Sequence, residues 1–162
     1  MEYAVIVVIA VIVAIIFCFK SLSALRPGDT ITGKAFVIDG DTIRVSGQTI
    51  RLSGLDAPEV DQWAKHQHGY WYKQGMRVKS ALIQVIGGKN VQVKVEGYDK
   101  YDRVIGTVMF NGKDVGEWLV RNGHAIAAYG DQYKHLEREA RRARRGMWGH
   151  AEAYDPRAWR YR

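Results

Sequence analysis

Cysteine is nearly missing from this sequence: Cys18 stands alone among 162 residues. An intrachain disulfide is therefore excluded, and so is a Cys-rich zinc centre. Acidic residues are also short, 17 Asp and Glu against 24 Lys and Arg, for a formal net charge of +7. That balance favours polyanionic partners, either nucleic acid or an anionic membrane face. There is no internal repeat. Long uncharged apolar runs are absent apart from one, Tyr3 to Phe19, which reads YAVIVVIAVIVAIIFCF.

That run decides the domain organisation. Crossing a bilayer as a helix takes about 20 apolar residues, with a lower limit near ~17. Leu22, Ala24 and Leu25 extend the run past Lys20, whose ammonium can snorkel to the headgroups. A cleaved signal peptide opens on a positive segment, whereas the only early charge here is Glu2. Residues 1–25 are therefore expected to form a transmembrane anchor. The alternative is an export signal cut near the small residues Ser21-Leu22-Ser23, leaving a secreted or periplasmic protein. Lys20 and Arg26 follow the run, so the positive-inside rule puts the following domain in the cytoplasm. Residues 26–150 suffice for one domain with one core, and 151–162 form a tail without a clear period.

Within the domain the pattern starts with strands. Thr30 to Ile38 is β-branched, Asp39-Gly40 signals a tight turn, and Thr42 to Val45 alternates. Thr49 to Leu55 gives a third strand, ended by Pro58. Val60 to Tyr72 has no clean period and reads as a loop. Val78, Leu82 and Val85 predict a helix over Gln74 to Ile86, stopped at Gly87-Gly88. Val91, Val93 and Val95 alternate with polar residues, and Val104 to Phe110 makes another strand. Asp114 can cap a helix carrying Val115, Trp118 and Leu119. Gln132 to Arg145 predicts a last helix with Leu136, Ala140, Ala143 and Met147 as its apolar stripe. Three strands, a helix, two strands and two helices predict an α+β domain. Its expected core is a small five-stranded Greek-key barrel of the oligonucleotide/oligosaccharide-binding (OB) type with three helices.

The chemistry-bearing residues gather around the second hairpin. Asp41 opens one strand and Asp56 closes its partner, both at the hairpin's open end. A plain ladder leaves them about three residues apart, roughly 10 Å, and a bend at Asp39-Gly40 would shorten the gap. Carboxylates at a strand end suit a hard cation such as Ca²⁺, although single turn aspartates more often cap backbone. Arg51 lies on the strand that leads to Asp56, and Arg103 stands where a later strand begins. Guanidinium forks bind phosphate oxygens bidentately. Two arginines and a metal together would stabilise a phosphate as its charge rises in the transition state.

Val37 to Val45, with Asp39-Gly40-Asp41-Thr42 at its centre, and Arg51-Leu52-Ser53-Gly54-Leu55-Asp56-Ala57-Pro58-Glu59 together resemble the first signature of the staphylococcal nuclease family. Asp99-Lys100-Tyr101-Asp102-Arg103 resembles the second, and the Trp118 helix and Gly146-Met147-Trp148 fall in matching order. The resemblance runs from about Thr30 to Trp148. It implies Ca²⁺-dependent hydrolysis of DNA and RNA phosphodiesters. By position it makes Asp41 and Asp56 metal ligands, together with the backbone carbonyl of Ala57, where the family's best-known member has Thr. Glu59 would position or deprotonate the attacking water, Arg51 and Arg103 would hold the phosphate, and Asp39 would stand behind the ligands. Tyr98 and Tyr101 would lie near the nucleotide. Asp102 replaces a Gly common in the family.

Other conspicuous residues have plainer readings. His66-Gln67-His68 lacks a third strong ligand nearby and reads as polar loop. His124 reads as a cap or surface residue. Trp63, Tyr70, Trp71 and Tyr72 are read as covering the barrel, with base stacking the rival use. Lys134, Arg138, Arg141, Arg142, Arg144 and Arg145 give the last helix a basic, solvated face that could also attract nucleic acid or lipid. The rival to a nuclease is an idle barrel, tethered to a membrane, that only binds nucleic acid. Such a module would be free to lose Asp41, Arg51, Asp56, Glu59 or Arg103, and all five are present. A membrane-bound structural subunit has only the anchor in its favour.

Overall fold

The computed structural model of the chain describes residues 25–150 and 155–160, and within the apolar run Ile6, Ile9, Val11 and Ile12, which are helical. The expected anchor over residues 3–19 otherwise lies outside the described residues. Among those described, no helix is long and apolar enough to cross a membrane.

β1 (Thr30–Lys34), β2 (Phe36–Val37), β3 (Thr42–Val45), β4 (Gln48–Leu52), β8 (Asn90–Tyr98), β9 (Val104–Phe110) and β10 (Lys113–Asp114) form one sheet. Its order is β1-β8-β9-β4-β3-β2, with β10 folded back onto β9. The two edges, β1 and β2, are consecutive stretches of one chain, so the sheet curls round on itself. Gly33 permits that curl, since a Cβ there would lie 2.4 Å from Ser46 Oγ. In its absence Ser46 Oγ donates to the Thr32 carbonyl at 3.0 Å. Ile43, Val45, Ile50, Leu52, Val91, Val93, Val95, Val104 and Val108 point into the closed interior.

The α+β curled sheet is as expected, but a count of five strands is too low. Among the described residues the main sheet holds seven, and β5 (Leu55–Asp56) with β11 (Ile126–Ala127), and β6 (Trp63–Lys65) with β7 (Trp71–Lys73), make two further ladders. Bends cause the excess. Ala35 leaves β1 to bridge Gly87, and Gly54, at φ +76°, splits the expected third strand. Residues read as a loop contain the β6–β7 hairpin, closed through Gly69.

α1 (Gln74–Ile86) has the predicted bounds and buries Val78, Leu82 and Ile86. α2 (Val115–Arg121) is capped as expected: Asp114 Oδ1 accepts from the N–H groups of Gly116 and Glu117. α3 (Lys134–Arg142) is shorter than predicted. Arg144 turns left-handed at φ +51° and Gly146 follows at +52°, so Ala143 is exposed. Met147 is buried in a separate 3-10 turn, Gly146–Gly149. Glycine is needed there because a Cβ on Gly146 would lie 2.3 Å from the Gly123 carbonyl oxygen. α4 (Pro156–Trp159) brings the tail back over the barrel.

Asp114 also ties α2 to α3, because the buried Tyr133 donates its hydroxyl to Asp114 Oδ2 at 2.7 Å. Asp114→Ala removes a cap worth about 1 kcal/mol and orphans a buried hydroxyl at a cost of ~1 kcal/mol. Urea unfolding should therefore report a loss of about 2 kcal/mol at unchanged m-value. A loss near zero would mean that the cap and the tie contribute nothing.

Candidate active site

β3 and β4 pair in the register Thr42↔Arg51, which sets Arg51 beside the strand end that carries Asp41. Two glycines then bring the second carboxylate round. Gly40 lets the 39–41 turn sit against the next loop, since a Cβ there would lie 2.8 Å from Ala57 Cβ. Gly54 turns β5 back toward the hairpin end. As a result Arg51 Nη1 pairs with Asp41 Oδ1 and Nη2 with Asp56 Oδ1, each at 2.6 Å. The carboxylate gap of a plain ladder is thus closed by bends on both sides, with Gly54 adding to the Asp39-Gly40 turn.

Both carboxylates are buried, and Asp56 has no exposed surface at all. Asp41 also accepts from Thr42 Oγ1 at 3.0 Å and from the Ala57 N–H at 3.1 Å. Burial pushes the Asp41 carboxyl up from the usual carboxylate range; Arg51 opposes this and neighbouring Asp39 adds to it. Burial also works against the Arg51 charge, but Asp41 and Asp56 outweigh it and hold the guanidinium firmly protonated. Asp39 Oδ1 accepts from the Asp41 N–H at 3.0 Å, so Asp39 shapes the turn behind the pair.

Glu59 is fixed by its backbone. Its N–H donates to Gln62 Oε1 at 3.3 Å and its carbonyl accepts from the Gln62 N–H at 2.8 Å. Gly75, in the first turn of α1, presses on the same carbonyl: a Cβ there would lie 1.6 Å from the oxygen. Only the carboxylate arm reaches the cleft.

Arg103 is held from below. Asp99 Oδ2 accepts from Arg103 Nε and Nη2, both at 2.7 Å, while Asp99 Oδ1 accepts from the N–H groups of Tyr101 and Arg103. Burial is the largest single influence and raises the Asp99 carboxyl, but these bonds and the Arg103 charge together outweigh it and hold Asp99 below its usual range. Asp102 adopts φ +59°, a left-handed position that Gly takes freely and Asp tolerates better than most residues.

Asp39, Asp41, Arg51, Glu59, Tyr101 and Arg103 line one cleft of about 480 Å³. Asp56 and Ala57 lie buried in its wall. Tyr98 is not brought there: it ends β8 and donates its hydroxyl to the Leu25 carbonyl at 3.2 Å. A family model described as Staphylococcal nuclease homologue matches residues 49–150. The chain belongs to the staphylococcal nuclease family. It is 33% identical over 137 residues to an uncharacterized endonuclease of Escherichia coli, covering 78% of this chain and 82% of that one. It is 32% identical over 125 residues to the succinoglycan biosynthesis protein ExoI of Rhizobium meliloti, covering 74% and 65%. The probable staphylococcal-like nuclease CAN2 of Oryza sativa subsp. japonica is 32% identical over 111 residues, 66% of this chain but 27% of the rice protein. The chain thus spans about a quarter of one relative it matches and about two thirds of another.

For this member of the staphylococcal nuclease family, the sequence reading missed four cleft residues: Lys100, Tyr129, Arg157 and Arg160. The two arginines come from the tail. One signal was available, since Asp155-Pro156 is a helix start with a capping aspartate and proline in the first turn. Asp155 Oδ1 does accept from the Arg157 N–H at 2.8 Å. His124 does cap α2, through its backbone N–H, which donates to the Leu119 carbonyl at 2.8 Å, but its side chain is half-buried rather than on the surface. Its ring lies 5.1 Å from that of Trp118, and burial, with a contribution from Arg77, lowers its pKa to about 4. His66 stacks on Tyr70 and His68 within the β6–β7 hairpin. Ala64 on that hairpin is buried, yet Trp63 and Trp71 are 39% and 47% exposed, so these two cover little. Lys73 and Lys65 lie over their rings, each 5.8 Å from the centroid. The basic face of α3 is partly neutralised, with Arg141 on Glu137 and Lys134 on Asp131.

Arg51→Gln leaves Asp41 without its cationic partner and Asp56 with half of its own. Breaking a buried pair from one side costs about 3 kcal/mol. The Asp41 carboxyl, already raised by burial, loses the charge that opposed this rise, so the variant folds best with Asp41 protonated, and its deficit against wild type shrinks as pH falls toward about 4. Urea unfolding at neutral and acid pH checks this; a deficit that stays constant with pH contradicts it.

Proposed function

We propose that the domain is a divalent-metal-dependent nuclease that hydrolyses phosphodiester bonds of DNA or RNA. The observation that carries this is the meeting of Asp41, Arg51, Asp56, Glu59 and Arg103 in a single cleft whose other cations are Lys100, Arg157 and Arg160. An anionic backbone is drawn to such a groove. The nuclease names of the rice and E. coli relatives support the same reading.

The donor set fits a hard cation. Among the described residues no group of three His, Cys, Asp or Glu side chains gathers to hold a metal by itself. The two carboxylates nonetheless have acceptor capacity to spare. A carboxylate offers about four lone-pair sites. Asp41 uses them on Arg51, Thr42 and Ala57, leaving one on Oδ2. Asp56 accepts at Oδ1 from Arg51 and Arg160 and at Oδ2 from Arg160, again leaving one. Asp41, Asp56 and the Ala57 carbonyl would therefore form the protein's share of an oxygen shell suited to Ca²⁺, with water completing it. When bound, such an ion supplies positive charge to the phosphate.

The chain's own residues do the rest. Glu59, rigid at its backbone and exposed at its carboxylate, accepts the proton of the attacking water. Arg103, anchored through Nε and Nη2, offers the remaining edge of its guanidinium to the phosphate oxygens and the departing oxygen. Arg51 lines the cleft while neutralising both carboxylates. Tyr101, whose ring centroid lies 5.5 Å from the Arg103 guanidinium, and Tyr129 offer a nucleotide aromatic surface in the same cleft.

Two experiments test this. With single- and double-stranded DNA and RNA as substrates, cleavage should stop on chelation. Arg103→Lys, which keeps the charge and loses the fork, should slow single-turnover cleavage by about tenfold or more, with little change in thermal unfolding. Undiminished cleavage under chelation, or a full rate in Arg103→Lys, overturns the mechanism.

We also propose that residues 3–19 tether the domain to a membrane, on the strength of their uncharged apolar composition. Full-length protein should then stay with membranes through an alkaline carbonate wash and keep Met1. A soluble form beginning near Ala24 would mark an export signal instead.

A further inference from the structure

Arg160 lies about a hundred residues beyond the carboxylates it touches. Its Nη1 donates to Glu59 Oε1 at 2.8 Å and to Asp56 Oδ1 at 3.3 Å, and its Nη2 pairs with Asp56 Oδ2. An exposed ion pair of this length would carry little meaning. Three observations set this one apart. Asp56 is fully buried, so the guanidinium reaches into the protein rather than across its surface. The fork spans two different carboxylates of the cleft at once. The segment that delivers it is built: Asp155 caps α4, Pro156 is buried in its first turn, and Arg157 folds back onto Asp155 beside the same cleft.

Glu59 needs such a partner. Its backbone is clamped by Gln62 and Gly75, but its side chain has three rotatable bonds and is 38% exposed. A carboxylate left to sample rotamers spends little time where a water can use it, and small misplacements of a reacting group cost large factors in rate. The bond from Arg160 Nη1 fixes one carboxylate oxygen of Glu59, whose side chain lines the cleft. The bonds to Asp56 anchor Arg160 in turn to the buried floor.

We propose that Arg160 is a positioning residue of the active site, which ties the Glu59 carboxylate to Asp56 and so sets its direction toward the attacking water. This rests on the reading of Glu59 given above. Arg160 adds a second guanidinium to the carboxylate cluster, so that Asp41, Asp56 and Glu59 share two positive charges, from Arg51 and Arg160.

The test uses the full chain and compares Arg160→Ala and Arg160→Lys, each in the wild-type and in the Glu59→Gln background. Single-turnover cleavage of an oligonucleotide is followed over a range of substrate concentrations, together with thermal unfolding. Arg160→Ala should slow the saturated rate about tenfold to a hundredfold, with KM changed less than about threefold and folding retained. Arg160→Lys should recover only part of the loss, since one ammonium cannot reproduce the planar fork. In the Glu59→Gln background, Arg160→Ala should cost nothing further. Equal losses in both backgrounds would assign Arg160 to the phosphate or to stability and overturn the proposal. A faster Arg160→Ala would make the tail a plug and also overturn it. Should the wild type cut no polynucleotide with any divalent ion, the nuclease reading fails by itself. Hydrogen exchange then decides the docking: Glu59→Gln should speed amide exchange across residues 155–160, and unchanged exchange would overturn the tie.

Discussion

Two buried carboxylates at the mouth of an apolar barrel repel each other and lose their hydration, and the guanidinium of Arg51 is what lets Asp41 and Asp56 stand there together. Its two nitrogens take one carboxylate each. The fork must therefore arrive at a fixed height and angle, and the sheet provides both. β4 is held on one side by antiparallel pairing to β3 and on the other by parallel pairing to β9, where Arg51 lies opposite Ile105. A one-residue slip of either ladder would turn Arg51 to the opposite face of the sheet. The tight turns at Gly40 and Gly54 then bring the acids to the fork.

Around this centre the cleft is mixed in sign but richer in positive groups. Arg51, Lys100, Arg103, Arg157 and Arg160 face Asp39, Asp41 and Glu59. Asp41 and Asp56 lie low and are bonded to arginine, Glu59 reaches up from the wall on a half-exposed side chain, and Lys100 and Tyr101 stand at the rim. That layering gives an approaching polyanion a positive entrance and keeps the buried carboxylates for the floor, where a cation is handled.

Local pattern carried much of this. β3, α1 and β9 have the bounds their periodicity predicts, because each buries one regular face. The grouping of Asp41, Arg51 and Asp56 followed from the hairpin, and the resemblance named the rest of the cluster. What stayed hidden depends on contacts between distant segments. Nothing in Thr49 to Leu55 announces a parallel partner fifty residues later, and the closure through Gly33 depends on Ser46 lying against it. α3 ends early because Arg144, a residue with no turn preference, is bent left-handed to let Gly146 meet Gly123. The β6–β7 hairpin hid because strands of three residues are too short to show alternation. Arg160 was illegible because its partners lie about a hundred positions upstream.

The contact between Gly75 and Glu59 has a mechanical meaning. The first turn of α1 bears directly on the Glu59 carbonyl, with room for nothing larger than hydrogen, and the same helix is seated in the barrel by Val78, Leu82 and Ile86. The seating depth of an apolar helix and the height of an acidic side chain above the cleft floor are therefore one adjustable quantity. A change of volume among those aliphatic residues would reach the cleft through the Glu59 backbone, with every charged group left unaltered.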